Sequence, residues 1–317
     1  MTRALVIAVA LLAAGEAWAQ SYPARPVRFV VGFTPGGGVD INARLLAARM
    51  SEYLGQQVVV ENKPGAGTNI ANEYVAKSTA DGYTLLFNSA AFAVNLALYK
   101  NPPYALGDFV PVSVFSESVN LLVVSSSLAA KSVRELVALA RERPGSLNYS
   151  SAGAGTTQHM ATELFKLRTG TNIVHVPYKG SAPALTALIA GEVQLSFSNT
   201  VAIHQHVRSG RLRALAVAGA KRTDLMPDVP TMQEAGVEGV GVPLWFGLLA
   251  PAGTPREVVQ LLAANVAKAA RSSDLRQKLI EQGADPVGNT PEEFERQLRE
   301  EVARWQEVVK VSGAKAE

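Results

Sequence analysis

Two glycine-rich loops carry the residue types best suited to holding a small anion. In the first, Thr34-Pro35-Gly36-Gly37-Gly38-Val39-Asp40 joins the apolar run Val27 to Phe33 to a helix-like stretch from Ile41 to Leu54. In the second, Ala152-Gly153-Ala154-Gly155-Thr156-Thr157 joins Leu147 to Ser151 to a helical stretch from Gln158 to Leu167. The first turn of a helix leaves backbone N–H groups unpaired and carries a partial positive charge, so it binds an anion without a cationic side chain. Glycine lets that backbone come close to a ligand. Two such loops, far apart in sequence, can close on one small anion from opposite sides.

The side chains around these loops have alternative readings. Asp40 is either the N-cap of the helix that begins at Ile41 or a carboxylate that recognises a ligand donor such as an ammonium group. Thr156 and Thr157 are either caps or hydroxyl donors to a ligand. A third turn, Pro64 to Thr68, reads as structural. Trp245 and Phe246 read as core aromatics, with a pocket-lining role left open.

Other chemistry is poorly served. Neither loop spells the phosphate-binding G-x-x-x-x-G-K-[ST] or the dinucleotide pattern G-x-G-x-x-G, and no G-x-S-x-G elbow is present. The chain has no cysteine, which rules out a thiol nucleophile, a zinc–thiolate site and an iron–sulfur cluster. Of the four histidines, His159 just inside the second helix reads as a surface or packing residue and His175 as a structural one in an apolar strand. His204 and His206 are two apart, point to different sides of a helix and lack a third partner, so no metal site and no cofactor is expected. The net charge is +3, with no block of like charge, which gives nucleic-acid binding little support.

The elements that must position the loops alternate in type, which predicts an α/β fold with largely parallel sheets. Strands are expected at Gln56–Asn62, Tyr83–Phe87, Phe109–Phe115, Asn120–Ser125, Ile173–Pro177, Val193–Phe197, Arg211–Val217 and Trp245–Ala250. Helices are expected at Asn69–Lys77, Ser132–Arg141, Ser181–Ala190, Pro255–Ser272, Arg276–Glu281 and Pro291–Ser312. Ser132 with Glu135 three residues on is a capping-box pattern. Asp228 to Gly241 reads as loop.

The chain opens Met1-Thr2-Arg3, runs apolar from Ala4 to Ala14 and offers Ala17-Trp18-Ala19 as a small-x-small cleavage site. This is a secretory signal peptide over residues 1–19, cut after Ala19. Its apolar run falls short of the roughly 18 residues of a spanning helix. Cleavage removes one base, Arg3, and one acid, Glu16, so the charge stays at +3.

Several motifs taken together resemble a known family. They are Tyr22-Pro23-x-x-Pro26, Pro35-Gly36-Gly37-Gly38-x-Asp40 with Ala43-Arg44, Glu61-Asn62-Lys63-Pro64-Gly65-Ala66-Gly67, Asp81-Gly82-Tyr83-Thr84-Leu85, Val176-Pro177-Tyr178-Lys179-Gly180 and Gly191-Glu192-Val193-Gln194. In order and spacing they resemble the Bug-type receptors, periplasmic solute-binding proteins of tripartite tricarboxylate transporters. The resemblance implies a two-domain periplasmic binding protein, a type II-like clamshell with a ligand cleft between its domains. Residues 20–118 and 223–317 would form a discontinuous domain I and residues 119–222 domain II. It also implies a monomer in the periplasm, not an enzyme and not membrane-embedded, that captures a small carboxylate (a di- or tricarboxylate, an amino acid or an aromatic acid) and delivers it to membrane transporter subunits.

Carried onto this chain, the family's ligand contacts fall on Thr34, Gly37, Val39, Asp40 and Ile41 in the first loop. In the second they fall on Ala152, Gly155, Thr156 and Thr157, with Asn88, Ser89 and Asn199 at strand ends. Strand carboxyl ends are where open α/β sheets place ligands. Val39 stands where relatives often carry a small hydroxyl residue or proline. Two rivals share parts of this pattern: a ligand sensor feeding a signalling system, and an exported hydrolase or lyase, for which the chain shows no acid–base pair.

Overall fold

The computed structural model describes residues 22–242, 244–312 and 314–315. The expected cleavage site after Ala19 lies outside the described residues.

Among the described residues the strands form two sheets. The first contains β1 (Val27–Val31), β2 (Val58–Asn62), β3 (Thr84–Ser89), β4 (Phe109–Ser118), β10 (Leu244–Pro251) and β11 (Ala284–Pro286), ordered β11-β4-β10-β3-β1-β2. The second contains β5 (Asn120–Ser125), β6 (Asn148–Ser151), β7 (Val174–Pro177), β8 (Leu195–Asn199) and β9 (Leu212–Val217), ordered β7-β6-β8-β5-β9. β1 pairs in parallel with β2 and β3, and β6 in parallel with β7 and β8. β10 runs antiparallel to β3 and β4, β11 antiparallel to β4, and β5 antiparallel to β8 and β9. The sheets are therefore mixed rather than largely parallel. The strands that run against the rest are β10 and β11 in the first sheet and β5 in the second; the chain passes from β4 into β5 across the single residue Val119, and β10 brings it back.

Helices cover both sheets: α1 (Gly38–Leu54), α2 (Asn69–Ala76), α3 (Ala91–Leu98), α4 (Val133–Glu142), α5 (Thr157–Thr169), α6 (Ser181–Ala190), α7 (Thr200–Arg208), α8 (Arg256–Arg271), α9 (Ser273–Glu281) and α10 (Pro291–Ser312). Ser132 caps α4 by accepting from Glu135 N at 3.2 Å. α3 and α7 have no counterpart among the expected helices. α3, Ala-Phe-Ala-Val-Asn-Leu-Ala-Leu, is apolar on all sides but for the buried Asn95, so it shows no amphipathic stripe.

The reason for that composition is packing. Phe92 of α3 joins the core of the first lobe with Trp245 and Phe294, while Ala93, Val94 and Leu98 join the core of the second with Tyr149 and Phe165. α10 bridges in the same way, with Phe294 and Leu298 on the first core and Trp305 on the second. Burying one such side chain contributes about 1.5–3 kcal/mol. The segment through Met232, Val240 and Val242 also packs on the second core, so the chain rejoins the first sheet only at Leu244.

Candidate ligand cleft between the two lobes

β1 is central among the parallel strands of the first sheet, and its carboxyl end delivers the chain into the first glycine loop. The helix that follows starts at Gly38, three residues earlier than the sequence pattern suggests, and its N-cap is Gly37, which has no side chain to cap with. Asp40 is thus the third residue of the helix rather than its cap. Its side chain is buried, and it accepts from Gly36 N at 2.9 Å, Asn62 Nδ2 at 2.9 Å and Arg44 Nε at 3.0 and 3.1 Å. Burial pushes the Asp40 carboxyl up, but these hydrogen bonds and the Arg44 charge outweigh it and hold the group below the ordinary carboxylate value. The carboxylate staples the loop to β2 and to its own helix.

The second loop follows β6 and has a different support. Thr156 caps α5, accepting from His159 N at 3.4 Å and donating to Gly153 O at 2.8 Å. Beneath it the rings of Tyr149, His175 and His159 form a stack, with centroids 4.6 Å and 4.4 Å apart. Gly155 N donates to His159 Nδ1 at 3.2 Å, and His175 Nε2 lies 2.7 Å from Ser151 Oγ. Burial pulls the His175 pKa down to about 4 against the attraction of Glu163. The packing readings of His159 and His175 describe what these rings do: they are the bed on which the loop lies.

Between the lobes the two loops border a small cavity of about 20 Å³. The first lobe contributes Phe33, Gly38, Val39, Ser89, Leu244 and Phe246, and the second Asn120, Ala152, Thr156, Thr157, Gln158, Ser181 and Asn199. No acidic or basic side chain lines it. The positive potential comes from the backbone instead: α1, α5, α6 and α7 all begin at this wall, through Gly38, Thr157, Ser181 and the Asn199 cap. α1 and α6 start behind glycine caps and have no side-chain cap hydrogen bond, so their first-turn N–H groups remain open to a ligand. Phe33, Val39, Leu244 and Phe246 supply an apolar wall. A cavity of this size holds little more than a water or two, so entry of a ligand requires the lobes to part.

The structure brings Val39, Ser89, Ala152, Thr156, Thr157 and Asn199 together at this cavity. The other expected contacts lie elsewhere. Thr34 and Gly37 meet α6 across the lobe boundary, at Gly180 and Ser181. Ile41 is half-buried against the first core. Asn88 is fully buried, donating to Asn72 Oδ1 at 2.8 Å and accepting from Ser89 N at 2.8 Å. Gly155, with φ +77°, faces α3, where a Cβ would stand 1.7 Å from Asn95 Oδ1. Phe33, Asn120, Gln158, Ser181, Leu244 and Phe246 line the cavity without having been singled out as ligand contacts. For Ser181 a signal existed, since it opens a helix behind Gly180. Asn120 shows no local motif, because its position follows from the crossover.

A family model described as "Tripartite tricarboxylate transporter family receptor" matches residues 42–314. The chain belongs to this family. It is similar to "Protein BugT" of Bordetella pertussis, 42% identical with 99% of each chain covered. Among solved structures it is similar to "R. palustris Rpa4515 with adipate", at 43% identity and TM-score 0.90 over 93% of this chain and 99% of that one. It is also similar to "MatC (Rpa3494) from Rhodopseudomonas palustris with bound malate", at 34% identity and TM-score 0.87 over 91% of this chain and 100% of that one. The two-lobed α/β architecture is that of the periplasmic binding proteins in this receptor family. Among the described residues no helix is long and apolar enough to cross a membrane, and no group of three or more His, Asp or Glu is placed to hold a metal ion.

Proposed function

We propose that this receptor captures a small carboxylate between its two glycine loops, in the periplasm, and presents it to membrane transporter subunits. The observation that carries the reading is the convergence of four helix N-termini on a cavity lined by no charged side chain. The adipate and malate named for the two solved relatives support the same ligand class.

The chain acts as a monomeric binding protein and not as an enzyme, exported with a signal peptide removed after Ala19. Domain I consists of residues from 20 to 118 together with the C-terminal part of the chain, and domain II begins at 119. The hinge lies at Val119 and in the return before Leu244. Ligand binding closes the lobes, and the closed form is what the transporter reads.

A thermal-shift screen of the mature protein against small mono-, di- and tricarboxylates, amino acids and aromatic acids tests this. A ligand that prefers the native state raises the melting temperature. A shift confined to carboxylates supports the reading, and no shift with any of them contradicts it.

A further inference from the structure

Asn120 opens β5 immediately after the crossover residue Val119, fully buried and part of the cavity wall. Its main chain is used, since Ala218 N donates to Asn120 O at 2.8 Å. Its side chain is not: neither Nδ2 nor Oδ1 meets a hydrogen-bond partner among the described residues. Exchanging the two amide atoms changes nothing, because both are unpartnered. Directly across the β5–β8 pairing lies Asn199. Asn199 spends its Oδ1 on Val201 N at 2.8 Å, as the cap of α7, and leaves its own buried Nδ2 unpartnered. A buried carboxamide with nothing to bond is costly, so the cavity is shaped for an occupant that bonds it.

The chemistry of that occupant follows from what each group could satisfy. A methylene satisfies neither amide atom. A second carboxylate only accepts and leaves Oδ1 unpaired; an ammonium only donates and leaves Nδ2 unpaired. An ammonium would also stand among four helix N-termini with no acidic side chain in the wall, the Asp40 carboxylate being turned to Arg44, Asn62 and Gly36. A hydroxyl both donates and accepts. Asn120 faces Asn199, the cap of α7, across the β5–β8 pairing, so the group that meets Asn120 lies beside the carboxylate held by the helix N-termini.

We propose that Asn120 is a ligand-contacting specificity residue that selects a small carboxylate bearing a neighbouring hydroxyl over its plain and ammonium-bearing analogues. This rests on the reading of the cavity as a carboxylate site.

The test uses two matched series: propionate, L-lactate and L-alanine, and succinate, L-malate and L-aspartate. Each is titrated calorimetrically into the mature protein and into Asn120→Leu and Asn120→Asp, with folding checked by circular dichroism and thermal unfolding. The wild type is expected to prefer the hydroxy acid in at least one series by roughly tenfold to a hundredfold, the penalty for leaving a buried amide unpaired. Asn120→Leu should bring hydroxy and plain acids to within about threefold of each other. Asn120→Asp, which keeps the shape and supplies a negative charge, should turn preference toward the amino acid, and it keeps the question open to test if the Leu variant does not fold. Carboxylate binding without a hydroxyl preference, or a preference that survives both substitutions, overturns the role of Asn120 and leaves the carboxylate reading standing. Absence of binding by every acid in both series to the wild type overturns both.

Discussion

Arg44 Nε lies 3.0 and 3.1 Å from the two carboxylate oxygens of Asp40, one turn back on the same helix. That contact, with Asn62 and Gly36 N on the same carboxylate, turns the acid of the first loop into a brace for the loop. Asp40→Ala should therefore destabilise the protein by about 1–3 kcal/mol, through loss of charged hydrogen bonds in a buried place. It should also weaken every carboxylate by a similar factor without reordering them. Thermal unfolding and calorimetric titration of a mixed panel check this. A selective loss of amino-acid ligands would instead show Asp40 reading an ammonium.

Glu301 of α10 accepts from Trp245 Nε1 at 2.9 Å, next to where β10 rejoins the first sheet. Burial raises its pKa from 4.5 to about 7, and the hydrogen bonds from Trp245 and Gln297 and the Arg304 charge offset that only in part. The folded state thus holds this proton more tightly than the unfolded chain does, so stability falls as pH rises from 4.5 through about 7. Glu301→Gln keeps the acceptor for Trp245 and removes the titration. Its stability relative to wild type should increase between pH 5 and pH 8 by on the order of 2–3 kcal/mol. Denaturant melts at the two pH values measure it, and a pH-independent difference would contradict it.

His175 works in the opposite direction. Its pKa is lowered from 6.5 to about 4, so the neutral ring contributes stability that is complete above 6.5 and is lost as pH falls through about 4. The His175→Gln variant should lose that part of the acid sensitivity, seen as a shallower fall in melting temperature between pH 7 and pH 4. Ligand affinity in wild type should hold from pH 7 downward and drop only as pH nears about 4, where the folded ring takes its proton and the stack under the second loop is disturbed. An acid profile shared by wild type and variant would show the stack to be passive.

Gly67, in the third turn, adopts φ +60°, and a Cβ there would stand 2.1 Å from Ala154 O of the second loop. The turn is held on its own side by Thr68, whose hydroxyl accepts from Asn72 Nδ2 at 3.2 Å and Asn88 Nδ2 at 3.3 Å. Gly67→Ala should keep each lobe intact but hold the lobes apart, weakening ligand binding by roughly tenfold or more, mainly through faster dissociation. Stopped-flow release and small-angle scattering report the two effects. Unchanged release would show that this contact does not govern closure.

Much of the fold was legible because local signals agreed with it. Ser181–Ala190, closed by Gly191, and the strand–loop–helix form of both loops follow from periodicity and glycine placement. α3 escaped because a helix buried between two cores has no polar face to set a period. The mixed sheets escaped because pairing direction at β4, β5 and β10 is set by the crossovers, which no window of sequence contains. The site was legible at the two glycine loops and, through the family resemblance, at two strand ends. Thr156 and Thr157 sit at an N-terminus that the sequence marks and Ser89 and Asn199 at those strand ends, whereas Asn120 and Phe246 reach the cavity from strands that pair far away in the chain. Asn88 and Asp40 carry the residue types of a ligand contact, yet tertiary partners occupy their polar atoms.

In the function proposed above, helix N-termini hold a carboxylate in this cleft. Calorimetric titration of the mature protein with small carboxylates, each paired with its neutral primary amide, tests it most directly. At least one carboxylate should bind and raise the melting temperature while its amide does neither. An amide that binds as tightly as its acid, or no binding by any acid, would contradict it.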